Sequence, residues 1–315
     1  MKRNVLMLCV LVAALLCGCG TYMPTTLNVA TYNLRNANRG DSLRGNGWGK
    51  RYPVIAGMVR FHEFDIFGTQ ECFLHQLQDM KAALPGYDYI GAGRDDGKDA
   101  GEHSAIFYLK SKFEVIDHGD FWLSETPDVP SKGWDAVLPR ICTWGHFKCR
   151  DTGFEFLFFN LHMDHVGKKA RVESAFLVQR KMKELGSKLP AILTGDFNVD
   201  QTHSSYKALV TNGVLRDSYE AAACRYATNG TFNGFKPDSY TTSRIDHIFV
   251  SPAFGVIRYG VLTDSYRSVK SEAGNAGVSD APREIEVKKY EARMPSDHFA
   301  VKAVLVFDKR KQNPK

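Results

Sequence analysis

Thr194-Gly195-Asp196-Phe197-Asn198 follows the apolar run 190–193 in the second half of the chain. The run predicts a buried strand that delivers Asp196 and the amide of Asn198 onto a loop at its end. Ser296-Asp297-His298 precedes another strand pattern, over 299–306. Each segment places a carboxylate beside a polar partner suited to phosphate chemistry, at the end of a strand.

Four other predicted strands also begin or end at polar side chains. A rigid sheet can build a site by collecting such ends at one edge. The ends are marked by Asn33, Gln70-Glu71, Asn160-Leu161-His162-Met163-Asp164-His165 and Arg244-Ile245-Asp246. The sequence therefore predicts a polar site assembled from six strands.

The wider pattern favours an α/β fold with two stacked mixed sheets and helices outside them. An amphipathic helix over 166–186 would cover one sheet, and the segment 263–295 reads as a long surface loop. The other predicted helices are 51–62 and 71–84, and the predicted strands are 27–34, 64–69, 87–92, 104–109, 113–118, 141–149, 154–161, 190–195, 245–250, 255–262 and 299–307.

The N-terminus has the pattern of a bacterial lipoprotein signal. Lys2 and Arg3 precede an apolar run that closes on Leu16-Cys17-Gly18-Cys19. We expect 1–18 to be removed and Cys19 to be lipidated, with the protein in the bacterial cell envelope, facing the periplasm or the exterior. An uncleaved signal anchor is the alternative, but the run is short for a bilayer of about 30 Å.

The remaining chain is expected to be one domain, because it contains neither a Ser/Pro/Gly-rich linker nor a repeat. The predicted boundaries are a linker over 19–26, the domain over 27–308 and a basic tail over 309–315. Without 1–18, 39 basic and 35 acidic side chains remain, a net charge of +4 that is too small to establish a nucleic-acid partner. Cys72, Cys142, Cys149 and Cys224 have no zinc-type spacing and are expected to pack in the interior.

The candidate residues favour a hard cation bound by oxygen ligands. Asparagine, glutamate and three aspartates suit Mg²⁺, which takes few protein carboxylates and the oxygens of a phosphate substrate. The sequence has no HExxH segment and no EF-hand loop. The imidazolium groups of His162 and His298 could bind phosphoryl oxygens as charge develops.

Six segments in this order resemble the endonuclease/exonuclease/phosphatase superfamily, which has the DNase I-like fold. The resemblance covers 25–308 and implies a four-layer α/β/β/α sandwich with the site where the sheet ends meet. The segments that carry it are Thr31-Tyr32-Asn33, Gln70-Glu71, Asn160-Leu161-His162, Gly195-Asp196-Phe197-Asn198, Arg244-Ile245-Asp246-His247-Ile248-Phe249 and Ser296-Asp297-His298.

The resemblance also implies a metal-assisted in-line attack of water on a phosphoester. Asn33, Glu71 and Asp297 would hold Mg²⁺ or Mn²⁺. The catalytic residues would be Asp196, which orients or deprotonates the water; Asn198, which positions it or the phosphate; Asp246, which orients His298; and His162, on another phosphate oxygen. Candidate substrate contacts or supporting residues are Trp48, Arg51, His103, Arg140, Asp164 and His165.

The sequence leaves the substrate open, because the fold indicates the class of reaction and not the molecule on which it acts. A nuclease-like phosphodiesterase is the leading expectation, acting as a monomer on nucleic acid or on a lipid or sugar phosphate. A lipid head-group phosphodiesterase such as a sphingomyelinase is one alternative. A lipid-anchored binding protein that has lost catalysis is another.

Overall fold

The computed structural model describes residues 25–269 and 282–307, except residues 187, 283 and 286. The predicted signal segment 1–18, Cys19, most of the linker and the tail 309–315 lie outside these residues. Within the described part of the chain, no helix combines the length and the apolar character needed to cross a membrane.

Fifteen strands and six helices are present in the described residues. The strands are β1 (Thr25–Asn33), β2 (Ile66–Gln70), β3 (Tyr87–Ile90), β4 (Ile106–Leu109), β5 (Phe113–Trp122), β6 (Ile141–Cys149), β7 (Glu155–His162), β8 (Ala191–Asp196), β9 (Arg216–Asp217), β10 (Cys224–Tyr226), β11 (Asp246–Val250), β12 (Phe254–Leu262), β13 (Tyr266–Val269), β14 (Tyr290–Arg293) and β15 (Ala300–Phe307). The helices are α1 (Arg39–Leu43), α2 (Trp48–Phe61), α3 (Leu74–Ala83), α4 (Lys168–Gly186), α5 (Ser204–Val210) and α6 (Ser218–Ala221).

Two mixed sheets carry the fold. The first has the strand order β10-β12-β15-β1-β2-β4-β3 and the second β5-β6-β7-β8-β11-β9. Strands β1 and β2 run parallel, as do β7 and β8, while β1 with β15 and β8 with β11 are antiparallel. The connections through α2 and α4 make these parallel pairs possible, because a parallel neighbour needs a long crossover.

Three apolar layers define the sandwich. In β7, Phe156 and Phe158 enter the core between the two sheets, whereas Leu157 and Phe159 face the core beneath α4 and α5. This alternation follows from the two-residue period of a strand. A third core lies between the first sheet and the helices α2 and α3. The predicted four-layer α/β/β/α sandwich is confirmed.

Strand register brings the polar ends to one edge. Asn33 pairs with Gln70 across β1 and β2, and His162 pairs with Asp196 across β7 and β8. Asp246 at the start of β11 also lies opposite Asp196. Because the two sheets are stacked, these ends meet over one end of the central core.

A buried polar network lies beneath that edge. The Asn160 amide donates to the carbonyls of Thr69 and Ala105 at 2.8 and 3.0 Å, and its oxygen accepts from Gln70 at 2.7 Å. Gly68 makes room for it, since a Cβ there would lie 2.1 Å from Asn160 Oδ1. Asn160 therefore ties the two sheets together below the site, and it serves as a structural residue.

Some sequence-based expectations are corrected by the structure. The predicted loop 263–295 contains the antiparallel hairpin of β13 and β14, whose residues pair from Tyr266–Arg293 to Val269–Tyr290. The short helices α1, α5 and α6 escaped detection because each is too brief to show a period. The four cysteines are free: Cys142 and Cys149 of β6 enter different cores, and Cys224 is exposed rather than packed.

Candidate active site

Two turns with left-handed backbone present acidic and amide side chains to the edge. Glu71 follows β2 with φ of 65°, and Asn198 follows β8 with φ of 51°. Residues other than glycine rarely adopt this region, and such strain concentrates at functional sites. Just before Asp196, a Cβ on Gly195 would lie 2.3 Å from the Leu161 carbonyl oxygen, so the strands can approach closely only with glycine there.

Asn33 connects the two sheets within the site. Its buried Nδ2 donates to Glu71 Oε1 and to Asp196 Oδ2, each at 3.0 Å. Its Oδ1 accepts from the backbone amide of Arg35 at 2.9 Å. Asn33 thus fixes the positions of two carboxylates that lie far apart in sequence.

Asp196, Asp246 and His298 form a buried charged group. His298 Nδ1 lies 2.9 Å from Asp246 Oδ2, and His298 Nε2 lies 3.7 Å from Asp196 Oδ2. Burial alone would lower the pKa of His298, but the charges of Asp246 and Asp196 outweigh it and raise the pKa well above its ordinary value. Burial, helped by the charge of Asp246, raises the pKa of Asp196 to about 7. Asp196 is therefore poised as a base near neutral pH, and His298 as a cation.

His162 is held differently from His298. Its Nε2 lies 3.1 Å from Asn198 Nδ2 and 3.5 Å from Asp196 Oδ2. Burial, together with the charges of Arg140 and Arg94, lowers the pKa of His162 well below its ordinary value. The sequence favoured an imidazolium at both histidines. For His162, the lowered pKa and the contact of Nε2 with the Asn198 amide favour the neutral imidazole instead.

The wall of the pocket that contains Glu71 and Asp297 carries both acidic and basic side chains. Arg35 Nη1 lies 3.5 Å from Asp297 Oδ2 and 3.7 Å from Glu71 Oε2. Asn36 Nδ2 donates to Glu71 Oε2 at 3.3 Å and to Glu102 Oε1 at 3.0 Å. Burial raises the pKa values of Asp297 and Glu102. The negative charge of Glu71, Glu102 and Asp297 is therefore only partly neutralised by the cations of this wall.

One group in the described chain could hold a metal ion. Ligand atoms of Glu71, Asp196 and His298 lie within 4.8 Å of one another. His298 Nδ1 is engaged by Asp246, and the carboxylate oxygens of Glu71 and Asp196 are donors that suit a hard cation. Burial raises the pKa values of Asp196 and Asp297, with added repulsion from Asp246 on the first and from Glu71 on the second, and a bound cation would offset both effects. Asn33 would have to present Oδ1, which here accepts from Arg35; its place among the ligands, like that of Asp297, stays a prediction.

Arg140 lies on the wall beside His162. It is 3% exposed, its Nε lies 3.4 Å from Asp164 Oδ2, and its Nη2 lies 3.0 Å from His165 Nδ1. Its Nη1 is buried without a hydrogen-bond partner among the described residues. Asp164 is itself fixed, because it accepts from the backbone amides of Val166 and Gly167. Arg140 is therefore an aligned cation with unused donor capacity, and Asp164 supports it.

Three predicted contact residues lie away from the pocket. The fully buried Arg51 donates to backbone carbonyls, including those of Leu34 and Pro295, and so braces the chain beneath the site. Trp48 is buried and donates from Nε1 to Asp79 at 2.8 Å, so it cannot stack on a ligand. His103 is buried, and its Nδ1 lies 3.1 Å from the Cys72 carbonyl oxygen. All three side chains therefore contact the protein interior and do not line the pocket.

The pocket is a cavity of about 290 Å³ at the meeting point of the sheet ends. Sequence reasoning overlooked part of its lining. Arg35 and Asn36 follow the Asn33 motif after Leu34, and this position was the one signal that pointed to them. The overlooked lining residues are Arg35, Asn36, Glu102, Leu138 and Phe232.

The fold and the site define a hydrolytic phosphoester enzyme of the DNase I-like class, and comparison with known proteins gives the same result. Residues 30–298 match the model of the Endonuclease/Exonuclease/phosphatase family. The chain belongs to this family of phosphoester hydrolases.

Two solved structures are similar over nearly the whole chain. A mannosyl-6-phosphatase of Bacteroides thetaiotaomicron VPI-5482 is 73% identical, covers 89% of this chain and 100% of its own, and superposes with a TM-score of 0.83. A family protein of Bacteroides vulgatus is 40% identical, with coverage of 90% and 100% and a TM-score of 0.77.

The curated relatives are more distant. An uncharacterised protein of Acanthamoeba polyphaga mimivirus is 31% identical over 160 residues, which are 49% of this chain. The matches span 60% and 41% of the lengths of the two curated relatives.

Proposed function

We propose that this protein is a divalent-metal-dependent phosphomonoesterase that removes the phosphate from the 6-position of a mannose-type sugar. The observation that carries the proposal is the 73% identity to a mannosyl-6-phosphatase over the full length of that chain. Substrate class depends on the residues that line the site, and at 73% identity we expect most of them to be shared with that relative.

The shape of the pocket supports a terminal phosphate. The cavity of about 290 Å³ is at the small end of ligand pockets. Arg140 lines the cavity, and Arg94, which pairs with Glu102, is close enough for its charge to add to burial in lowering the pKa of Arg140. A polynucleotide would need an open groove with cations placed along the path of the phosphate backbone. We therefore propose a monoesterase in place of the nuclease-like phosphodiesterase that the sequence led us to expect.

The residues divide the work of a water attack on phosphorus. Asp196 accepts the proton of the attacking water, which Asn198 helps to position. His298, protonated and held by Asp246, donates to a phosphate oxygen as negative charge develops there. Arg140, which lines the pocket, binds another phosphate oxygen through its guanidinium, and His162 contributes a neutral imidazole. The ester bond between phosphorus and oxygen breaks, and the departing sugar oxygen takes a proton from water.

We propose Mg²⁺ or Mn²⁺ as the cation. Glu71 is the ligand best supported, because its carboxylate belongs to the candidate metal group of the described residues and its charge also acts on Asp297. When bound, the cation would polarise the phosphate and neutralise charge in the transition state.

The predicted lipid anchor bears on the choice between sugar and lipid substrates. Strand β1 begins at Thr25 and ends at Asn33 in the site, so its length of about 27 Å separates the chain entry from the pocket. An anchor at Cys19 would attach near the far end of the sandwich. We propose that the pocket then opens away from that membrane, which would favour a soluble substrate over a lipid head group. Cys19→Ala should release the protein from membranes; retention would point to another anchor.

A substrate panel tests the proposed function. Purified protein with Mg²⁺ or Mn²⁺ would be assayed on mannose 6-phosphate, glucose 6-phosphate, bis(p-nitrophenyl) phosphate, single-stranded DNA, RNA and sphingomyelin vesicles. We expect turnover of the sugar monoesters, fastest for mannose 6-phosphate, and loss of it in EDTA. Faster cleavage of a diester would contradict the proposal, and the absence of any turnover would favour a binding protein.

A further inference from the structure

Phe232 is a large aromatic side chain left open to solvent at the mouth of a charged pocket. It is 45% exposed, and its ring meets the His298 ring edge to face at a centroid distance of 5.1 Å. A phosphate bound at His298 must carry its organic group out through this mouth. The organic group would therefore pass over Phe232.

The position of Phe232 is fixed by the backbone next to the catalytic histidine. Phe232 forms a bridge with His298, the Phe299 amide donates to the Thr231 carbonyl at 2.7 Å, and the Asn233 amide donates to the Asp297 carbonyl at 2.8 Å. The ring is thus a fixed platform, and binding to it costs little ordering.

A second cleft adjoins the catalytic pocket at Phe232, and we call it the loop cleft. It encloses about 400 Å³ and shares Phe232 with the catalytic pocket. Tyr240, at 73% exposure, stands on its rim. Its lining includes Phe232, Gly234, Lys236, Tyr240, Ser243 and Ile245.

The loop that forms this cleft is held by its own hydrogen bonds. Asn229 Nδ2 donates to the Ser239 carbonyl at 2.7 Å, and Asn229 Oδ1 accepts from the Thr241 amide at 3.0 Å. The Gly230 amide also donates to the Thr241 carbonyl at 2.6 Å. The cleft is therefore formed before any ligand binds.

The chemistry of the cleft identifies its ligand. Of the described residues that line it, Lys236 is the one that carries a charge, so a polyanionic chain would find little neutralisation there. Exposed aromatic rings beside hydroxyl and backbone groups suit a neutral ring with one apolar face and several hydroxyls. A pyranose has this character, and it is continuous with the sugar phosphate of the proposed function.

We propose that the loop cleft binds a second sugar ring, so that the preferred substrate is a phosphorylated oligosaccharide rather than a free sugar phosphate. Phe232 would contact the phosphorylated sugar, and Tyr240 would contact its neighbour. This inference rests on the proposed function and adds a subsite to it.

The test compares mannose 6-phosphate with a mannobiose phosphate whose phosphorylated mannose is linked through its anomeric carbon to the second sugar. We expect the disaccharide phosphate to have a kcat/KM about tenfold higher in the parent enzyme, and Tyr240→Ala to remove most of that advantage. The loss should not extend to mannose 6-phosphate. Tyr226→Ala, which removes another exposed tyrosine outside the cleft, should keep the advantage.

Binding without turnover provides a second readout. In EDTA, unphosphorylated mannobiose should give a saturation-transfer NMR signal with the parent protein and with Tyr226→Ala, and a much weaker one with Tyr240→Ala. Equal kinetics for the two substrates, or an equal loss on both in Tyr240→Ala, would overturn the subsite. A stronger Tyr240-dependent signal from a short single-stranded DNA would overturn the choice of carbohydrate. Failure to hydrolyse mannose 6-phosphate would instead refute the proposed function, whatever mannobiose does.

Discussion

Asp246 Oδ2 lies 2.9 Å from His298 Nδ1, and the other carboxylate oxygen of Asp246 is buried without a hydrogen-bond partner in the described chain. The Asp246 carboxylate therefore directs its one polar contact at the imidazole. Nε2, on the far side of that ring, faces the pocket. The pair has the geometry of an oriented and charged hydrogen-bond donor.

The first prediction concerns this pair. Asp246→Asn and His298→Ala should each lower kcat by about a hundredfold or more while KM changes little, because the donor acts mainly in the transition state. Since Asp246 works through His298, the double variant should lose far less than the product of the two single losses. Steady-state kinetics on p-nitrophenyl phosphate would measure this, with the exposed His75→Ala as a control. Multiplicative losses would show that the two residues act independently.

The second prediction concerns the charge on Asp196. A carboxyl whose pKa is about 7 in the folded protein and about 4 when unfolded contributes stability below pH 4, and this contribution is lost as the pH rises through 7. In EDTA, the free energy of unfolding of the parent should fall between pH 5 and pH 8 as Asp196 ionises, whereas that of Asp196→Asn should not. The difference between the two proteins should therefore shift in favour of the variant by about 1–3 kcal/mol over this range. Urea unfolding at the two pH values would measure it. A constant difference between the two proteins would show that burial does not raise this pKa.

The third prediction concerns the metal. Glu71→Gln should weaken Mn²⁺ binding at least about tenfold, because an amide keeps the shape of the side chain and removes its charge. Isothermal titration calorimetry would measure the affinity, with the exposed Glu114→Gln as a control. Asp297→Asn would decide whether Asp297 also ligates. Unchanged affinity in both Glu71→Gln and Asp297→Asn would place the cation elsewhere.

The fourth prediction concerns Arg140. Arg140→Ala should lower kcat/KM for mannose 6-phosphate by about a hundredfold and weaken inhibition by inorganic phosphate, since a buried guanidinium binds phosphate strongly. Arg140→Lys should recover only part of this, because an ammonium cannot reach Asp164 and the phosphate together. Asp164→Asn should give a smaller loss in the same direction. Normal phosphate inhibition in Arg140→Ala would remove Arg140 from the binding site.

The fifth prediction concerns packing beneath the site. Gly68→Ala should destabilise the protein by about 2–4 kcal/mol, because its Cβ would overlap Asn160 and force the network to shift. Gly57→Ala is the matched control: nothing lies within 4 Å of its Cβ in α2, and stability should rise by up to about 1 kcal/mol. Thermal unfolding would measure both. Equal stability of the two variants would show that Asn160 can move freely.

Much of the fold could be predicted from the sequence, because a strand that lies between two apolar layers must be apolar on both faces. β7 shows this, with Phe156 and Phe158 on one side and Leu157 and Phe159 on the other. The polar residues that interrupt such strands could only lie at their ends. For the same reason the sequence pointed to Asp196 and His162 before their neighbours were known.

Tertiary structure decided the distances, the protonation states and the roles of single cations. Arg51 and Arg140 look alike as isolated basic residues, yet one donates to backbone carbonyls beneath the site and the other lies on the pocket wall. Glu102 lines the pocket, but it lies in a segment whose sequence has no periodic pattern that could have predicted this position. A linear sequence records which face a side chain occupies, whereas the charge on Asp196 or His298 depends on burial and on neighbours that only sheet register and stacking bring within a few ångströms.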